Sequence, residues 1–178
     1  MTHPPTAPPT APAAPLAPAA PLAPLLARVG RWAGTSTLAD PANGIADASA
    51  ATAHVTALLD GRFVRIDYEW AYQGAPQAGS LLVGADPAAA VVTVHWIDAW
   101  HMGRAVMACT GPAPGDGAPL VAHGRYAAPP GPDWGWRIAL EVGEDDDALR
   151  VVMHNRWPDE GPDAGREELA VEATYRRA

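Results

Sequence analysis

The chain has 178 residues and a formal net charge of −8, and its twelve basic residues other than histidine are all arginine. An acidic chain without a basic stripe is poorly suited to nucleic acid or to an anionic membrane surface, so neither partner is predicted. The single cysteine, Cys109, excludes a disulfide framework and a cysteine-based zinc site.

Residues 1–24 have a distinct composition, because nine of the 20 prolines lie there and no charged residue precedes Arg28. Such a segment buries too little apolar surface to offset the entropy of ordering, which predicts a disordered tail. It also lacks the basic start and the unbroken apolar stretch of a secretory signal, which favours a cytoplasmic protein. We therefore divide the chain into a tail, residues 1–24, and one domain, residues 25–178.

Short segments with strand-like patterns follow the tail in order, separated by turns rich in Gly, Pro, Asn and Asp. Asp60-Gly61, between two apolar runs, is typical of a hairpin turn. No segment has convincing helical periodicity, although one helical turn after Pro24 would cover an end of the fold. The predicted strands span residues 31–38, 48–58, 62–73, 78–83, 90–98, 105–110, 120–126, 134–142, 148–157 and 167–177.

This succession of short strands predicts an all-β fold. Since consecutive strands are joined by hairpin-type connections, a closed antiparallel up-and-down β-barrel of about ten strands fits best, and closure removes exposed edges. Residues 62–73 alternate most clearly, whereas residues 90–98 carry apolar side chains on both faces and leave the inner face open. The inner face predicted for residues 62–73 carries Val64, Ile66, Tyr68, Trp70 and Tyr72.

The first predicted strand contains Gly30-Arg31-Trp32 followed by Gly34-Thr35. This pattern resembles the Gly-x-Trp signature on the first strand of lipocalins and the wider calycin group. The resemblance implies that an arginine of the last strand packs over the tryptophan, and Tyr175-Arg176-Arg177 stand at the expected place. A guanidinium over an indole contributes about 0.5–2 kcal/mol. Trp32 with Arg176 or Arg177 is therefore predicted to close the barrel.

The wider pattern resembles an uncharacterised bacterial family of calycin-like proteins, a domain of unknown function. The resemblance implies a lipocalin-like barrel and no particular reaction. Its recurring pieces stand in order as Gly30-x-Trp32-x-Gly34, Leu59-x-Gly61-Arg62-Phe63, Gly84-x-Asp86, Trp96-x-Asp98, Trp136-Arg137 and Tyr175-x-Arg177.

Calycins also include nitrobindin-like proteins, which hold haem through a histidine near the last strands. His154 lies at a comparable place, so the resemblance implies haem as an alternative cofactor. Strand alternation, however, puts His154 on the same face as Arg150 and Arg156, which favours solvent. Apart from this alternative, no cofactor or metal is predicted.

The segment from Trp96 to Gly103 contains two tryptophans, an acid and a histidine, and is predicted to lie at the barrel mouth, where binding residues concentrate. Bulky inward side chains from neighbouring strands either fill the lumen or shape an apolar pocket, and the sequence leaves both open. The predicted ligand-binding residues are Tyr68, Trp70, Trp96, Asp98, His101, Trp134, Trp136 and Met153.

The sequence carries no nucleophile elbow for acyl transfer and no phosphate-binding glycine loop. The first hypothesis is therefore a non-enzymatic barrel that binds a small, largely apolar or aromatic ligand. One alternative is an enzyme at the mouth, in which Asp98, His101 or His95 converge within hydrogen-bonding distance. Another is a filled barrel that acts through its surface as a homodimer.

Overall fold

The computed structural model describes residues 20–143 and 147–178, with the side chain of residue 42 left out. Residues 1–19 of the predicted tail, which spans residues 1–24, lie outside the described residues. From residue 20 on, a 3-10 turn (Ala20–Leu22) and a short helix, α1 (Ala23–Leu26), lead into the strands. None of the helices in the described chain is long and apolar enough to cross a membrane.

Ten strands make up most of the described chain, and a second 3-10 turn (Pro41–Asn43) joins the first two. The strands are β1 (Gly30–Asp40), β2 (Ile45–Leu58), β3 (Phe63–Tyr72), β4 (Ala75–Asp86), β5 (Val91–Asp98), β6 (Met107–Pro112), β7 (Leu120–Tyr126), β8 (Trp134–Val142), β9 (Ala148–Arg156) and β10 (Glu167–Arg177).

The strands form a closed barrel in which each pairs antiparallel with the next in sequence and β10 pairs with β1. This confirms the predicted closed, up-and-down barrel. The ends of β7, β8 and β10 are as predicted, whereas β4 begins three residues earlier than predicted. Its first residues, Ala75 and Pro76, lie opposite Tyr72 and Ala71 of β3. Pairing with the neighbouring strand therefore sets the length of β4, rather than its own weak alternation.

The inward faces of the strands form one continuous apolar core. On β3, Val64 and Ile66 are fully buried, in agreement with the alternation. On β5, where the pattern left the inner face open, Val94 and Trp96 point inward and His95 is exposed. The pairing of β5 with its neighbours therefore determines which of its two faces points into the barrel, which the sequence pattern left open.

One end of the barrel, called here the closed end, is covered by the residues that precede β1. Leu22 and Leu25 are buried there. Trp32, also buried, donates a hydrogen bond from Nε1 to the carbonyl oxygen of Arg28 at 2.8 Å. Arg28 is buried as well, and its Nη2 donates to the carbonyl oxygen of Gly143 at 2.7 Å. The polar groups at this end are thus bonded to backbone oxygens.

Arg177 covers Trp32 from the last strand. Its guanidinium carbon lies 4.8 Å from the centroid of the indole. Its Nη1 and Nη2 donate to the carbonyl oxygens of Val29 and Ala27 at 3.3 and 3.4 Å. The neighbouring Arg176 is exposed. Of the two arginines named by the sequence, Arg177 is therefore the one that ties the last strand to the first.

The two glycines around Trp32 are required by close approaches of the chain. A Cβ at Gly34 would lie 1.9 Å from the carbonyl oxygen of Thr174 in β10, where no side chain fits. Gly30 has a φ of +136°, a conformation that side chains rarely adopt. Gly34 therefore allows the close approach of β1 and β10, whereas Gly30 allows the backbone conformation that precedes Trp32.

The seam between β6 and β7 differs from the other strand pairs. Within these two fully described strands, Thr110 opposite His123 is the one register pair. By comparison, the ladder between β1 and β2 runs from Gly30 to Asp40 without a break. The barrel is therefore closed at this seam by a much shorter ladder.

Candidate functional site

The end of the barrel opposite the closed end, called here the mouth, holds a cavity of about 380 Å³. It lies among the last residues of β1, β7 and β9, the first residues of β8 and β10, and the loop of residues 99–106. Its volume falls within the range of sites for small molecules. The residues that line it include four aromatic ones, Trp96, Trp100, Tyr126 and Trp136, and four polar ones, Asp40, His101, Asn155 and Glu168.

Below this cavity the lumen is almost filled by side chains. The remaining space, about 20 Å³, has room for about one water molecule. Tyr68, Trp70, Val151, Met153 and Tyr175 surround it. The sequence left open whether bulky side chains fill the lumen or shape a pocket. Both occur, because side chains fill the lower lumen and a pocket lies at the mouth.

Asp98, the last residue of β5, organises the floor of the mouth. Its Oδ1 accepts hydrogen bonds from the backbone N–H groups of Trp100 and His101 at 2.9 and 2.8 Å. Its Oδ2 accepts from the hydroxyl of Tyr68 at 2.9 Å and, at 3.4 Å, from Nε1 of Trp70. The carboxylate therefore holds the start of the loop 99–106 and joins it to the inner face of β3.

The network keeps Asp98 ionised although its side chain is only 1% exposed. Burial raises the pKa of Asp98, but hydrogen bonds from the His101 side chain and backbone outweigh burial, so the pKa lies below its usual value. Burial and the charge of Asp98 raise the pKa of Tyr68 well above its ordinary value. Tyr68 therefore stays protonated and donates to Asp98, while its oxygen accepts from Nε1 of Trp96 at 2.7 Å.

His101 lines the cavity with its side chain. Its Nδ1 lies 3.1 Å from Oδ1 of Asp98. Because the ionised carboxylate can only accept, Nδ1 carries a proton, and in the neutral form of the ring Nε2 is then the acceptor. Nε2 is buried and has no hydrogen-bond partner in the protein. Trp100 holds the ring in place at a centroid distance of 4.6 Å.

Trp136 has a second unpartnered polar atom, its Nε1, which is a hydrogen-bond donor and is also buried. The indole stacks on Trp96 at 5.2 Å and lies 5.6 Å from the His101 ring, both measured between centroids. Buried polar groups are nearly always hydrogen-bonded, so each exception needs an explanation. His101 and Trp136 both line the mouth cavity, and each has one buried ring nitrogen without a partner in the protein.

The structure brings together seven of the eight residues predicted to bind a ligand. Trp96, His101 and Trp136 line the cavity, while Tyr68, Trp70, Asp98 and Met153 surround the small space below it. The eighth, Trp134, does not line the cavity. It is the first residue of β8 and packs against Trp157 at a centroid distance of 4.8 Å.

The other histidines named by the sequence lie elsewhere. His95 is exposed on the outer face of β5, so it does not converge with Asp98 and His101. His154 lies outward on β9, where its Nδ1 is 3.3 Å from the guanidinium of Arg137. Burial and the charge of Arg137 lower the pKa of His154. A histidine on the outer face does not fit a haem held inside the barrel. No cluster of three or more metal-binding side chains occurs within the described residues.

The predicted ligand-binding residues did not include most of the residues that line the cavity, among them Tyr126 and Asn155. Tyr126 donates from its hydroxyl to Oδ1 of Asn155 at 2.7 Å, and both residues line the cavity. Tyr126 shares the inner face of β7 with Ala122 and Gly124, so alternation was a usable signal. That both residues reach the mouth depends on the stagger of the strands, which the sequence pattern does not give.

Comparison with known proteins places the chain in a family. The family described as "Protein of unknown function (DUF1579)" matches residues 17–177. Among solved structures, the crystal structure of Rv2717c from M. tuberculosis is similar, with a TM-score of 0.60 and 13% sequence identity over 90% of this chain and 99% of that chain. At this identity the likeness shows the fold alone. No curated protein matched the sequence. The predicted resemblance to an uncharacterised barrel family is thus confirmed, and the chain belongs to DUF1579, a family of proteins of unknown function.

Proposed function

We propose that the mouth cavity binds a small aromatic molecule that carries both a hydrogen-bond donor and an acceptor. The observation that carries this proposal is the pair of buried, unpartnered atoms, Nε2 of His101 and Nε1 of Trp136, in one cavity. A ligand that donates to His101 and accepts from Trp136 satisfies both. The predictions of no nucleic-acid or membrane partner, of a homodimer and of a cytoplasmic location stay predictions.

Physical chemistry favours such a ligand over a purely apolar one. A buried polar atom without a partner costs about 1–3 kcal/mol, which a matching ligand recovers. The walls add burial of the ligand's apolar surface, worth about 25 cal/mol per Å². Because Asp98 and Trp100 hold the His101 ring in place, the acceptor is pre-organised and little side-chain entropy is lost on binding.

A matched pair of ligands tests the hydrogen bond to His101. Benzamide and acetophenone have nearly the same shape and the same carbonyl acceptor, but only benzamide has an N–H donor. We expect benzamide to bind about ten-fold more tightly, measured by calorimetry and by quenching of tryptophan fluorescence. Equal affinities would remove the role assigned to His101, and no binding of either compound at millimolar concentration would overturn the proposal.

Trp136→Phe tests the second hydrogen bond, because it removes Nε1 while keeping an aromatic ring. We expect it to weaken both compounds by a similar factor. Trp157→Phe is the matched control, since Nε1 of Trp157 is also buried and unpartnered but lies away from the mouth cavity. If the two variants weaken binding equally, the cavity at the mouth is not the site.

A second candidate function is an enzyme in which His101 accepts a proton from a bound molecule. The observation that favours it is the 3.1 Å contact between Nδ1 of His101 and Asp98, which leaves Nε2 of a cavity-lining ring without a partner. A histidine oriented by a carboxylate is a common general base. Hydrolysis of 4-nitrophenyl acetate tests it, with the exposed His95 as control. A rate lost in His101→Gln and kept in His95→Gln supports the role, whereas equal losses reject it.

A further inference from the structure

We propose that the mouth cavity selects cationic ligands, so that the group donating to His101 is an organic ammonium. This inference rests on the proposed function and specifies the chemical class of its ligand. It follows from the charges that face the cavity, the aromatic character of its walls and the unpartnered acceptor on its floor.

The carboxylates of the mouth are one buried side chain below the cavity and two at its rim. Asp98 is the one buried carboxylate among the described residues, and its side chain is 1% exposed. Its hydrogen-bond donors are Tyr68, Trp70, Trp100 and His101, none of which is an arginine or a lysine. A charge in a low-dielectric site acts more strongly than one in water. Asp98 therefore favours positive charge in the space above it.

Two further carboxylates line the cavity at its rim. Asp40 accepts hydrogen bonds from the backbone and the side-chain amide of Asn43, which is neutral. Glu168 forms an ion pair with Arg166 at 2.8 Å, so its charge is partly compensated. None of the described residues that line the cavity is an arginine, and the chain has no lysine. An anionic ligand would therefore meet like charge without a cation to receive it.

The walls and the floor suit an ammonium group as well. Trp96, Trp100, Tyr126 and Trp136 line the cavity, and aromatic rings attract cations through their faces. The His101 side chain is only 10% exposed and its Nε2 is unpartnered, so it provides an acceptor for an N–H donor independently of the rim carboxylates. An ammonium that carries an aromatic ring meets all three features at once, and an acceptor elsewhere on the same molecule would serve Nε1 of Trp136.

Three ligands of similar shape test this selectivity on the full-length protein: benzylammonium, benzyl alcohol and benzoate. We expect benzylammonium to bind about ten-fold more tightly than benzyl alcohol, and benzoate to bind least, measured by calorimetry at neutral pH. Equal affinities, or tighter binding of benzoate, would overturn the selectivity and leave the proposed function intact. Binding of none of the three would instead count against the proposed function itself.

Asp40→Asn tests whether the carboxylates at the rim cause the preference for cationic ligands. We expect it to weaken benzylammonium about three-fold or more and to leave benzyl alcohol unchanged. Asp86→Asn is the matched control, because Asp86 also accepts backbone N–H bonds in a turn but does not line the cavity. An equal loss in both variants would show a general effect of net charge and reject the assignment. If Asp40→Asn does not fold, Glu168→Gln makes the same test.

Discussion

At the closed end, Trp32, Arg28 and Arg177 direct their polar atoms to backbone carbonyl oxygens. At the mouth, His101 and Trp136 are largely buried in aromatic surroundings, yet Nε2 of His101 and Nε1 of Trp136 have no partner in the protein. The two ends use similar side chains, and the difference lies in hydrogen bonding. One end is completed by the chain itself, whereas the other is left incomplete, as expected of a surface built for binding.

The largest effect is expected from a comparison of substitutions at the two ends, which asks whether the closed end contributes more to the free energy of unfolding than the mouth does. Trp32→Ala should lower the free energy of unfolding by about 3–5 kcal/mol, because it empties a buried site and removes the bond to Arg28. Trp136→Phe should cost less than about 1.5 kcal/mol, since its Nε1 has no bond to lose. Urea unfolding followed by circular dichroism measures both. Similar losses in the two variants would erase the distinction between the ends.

The next largest effect is expected at Asp98. Unlike His101 and Trp136, Asp98 has hydrogen-bond partners for both of its side-chain oxygens. Asp98→Asn should cost about 1–3 kcal/mol at neutral pH, since the new amide donor faces the donors of Tyr68 and Trp70.

The pH dependence of this loss follows from the lowered pKa of Asp98. A carboxyl whose pKa falls on folding stabilises the protein above its unfolded pKa of about 4, and this contribution disappears as the pH falls through the folded value. The gap between wild type and Asp98→Asn should therefore narrow below about pH 4. Urea unfolding along a pH series measures the gap, and a gap that stays constant would contradict the assignment.

The smallest effect sharpens the description of the closed end. Arg177→Ala should lower the free energy of unfolding by about 0.5–2 kcal/mol, because it removes the cation from the Trp32 ring. Arg176→Ala is the neighbouring control and should change stability by less than about 0.5 kcal/mol, since the arginine that lies over the Trp32 ring is Arg177. Thermal unfolding of the two variants provides the comparison. Equal losses would mean that charge near the terminus, rather than stacking on the indole, accounts for the effect.

The barrel could be predicted from the sequence because strand alternation has a period of two and each turn is marked by its own residues. The pairing of Trp32 with an arginine of the last strand was predicted from a family resemblance, and the structure identifies that arginine as Arg177. Asp98 and His101 were predicted to lie at the mouth, but the contact between them depends on the turn that follows β5.

Other parts of the site depend on strand stagger, which no local pattern records. Trp134 alternates in phase with Trp136, yet it packs against Trp157 instead of lining the cavity. Tyr126 and Asn155 meet at the mouth because β7 and β9 both end there. Residue patterns specify the face of a strand, whereas the position along the barrel axis is a property of the whole sheet.

The short ladder between β6 and β7 has a consequence for the motions of the barrel. Because Thr110 opposite His123 is the one register pair of these strands, we expect the backbone pairing along this line to be weaker than along β1 and β2. Deuterium uptake should be faster there than along β1 and β2, which are paired over the whole of β1. Breathing of the wall would then begin at this line, and Tyr126, at the end of β7, would carry that motion to the cavity rim.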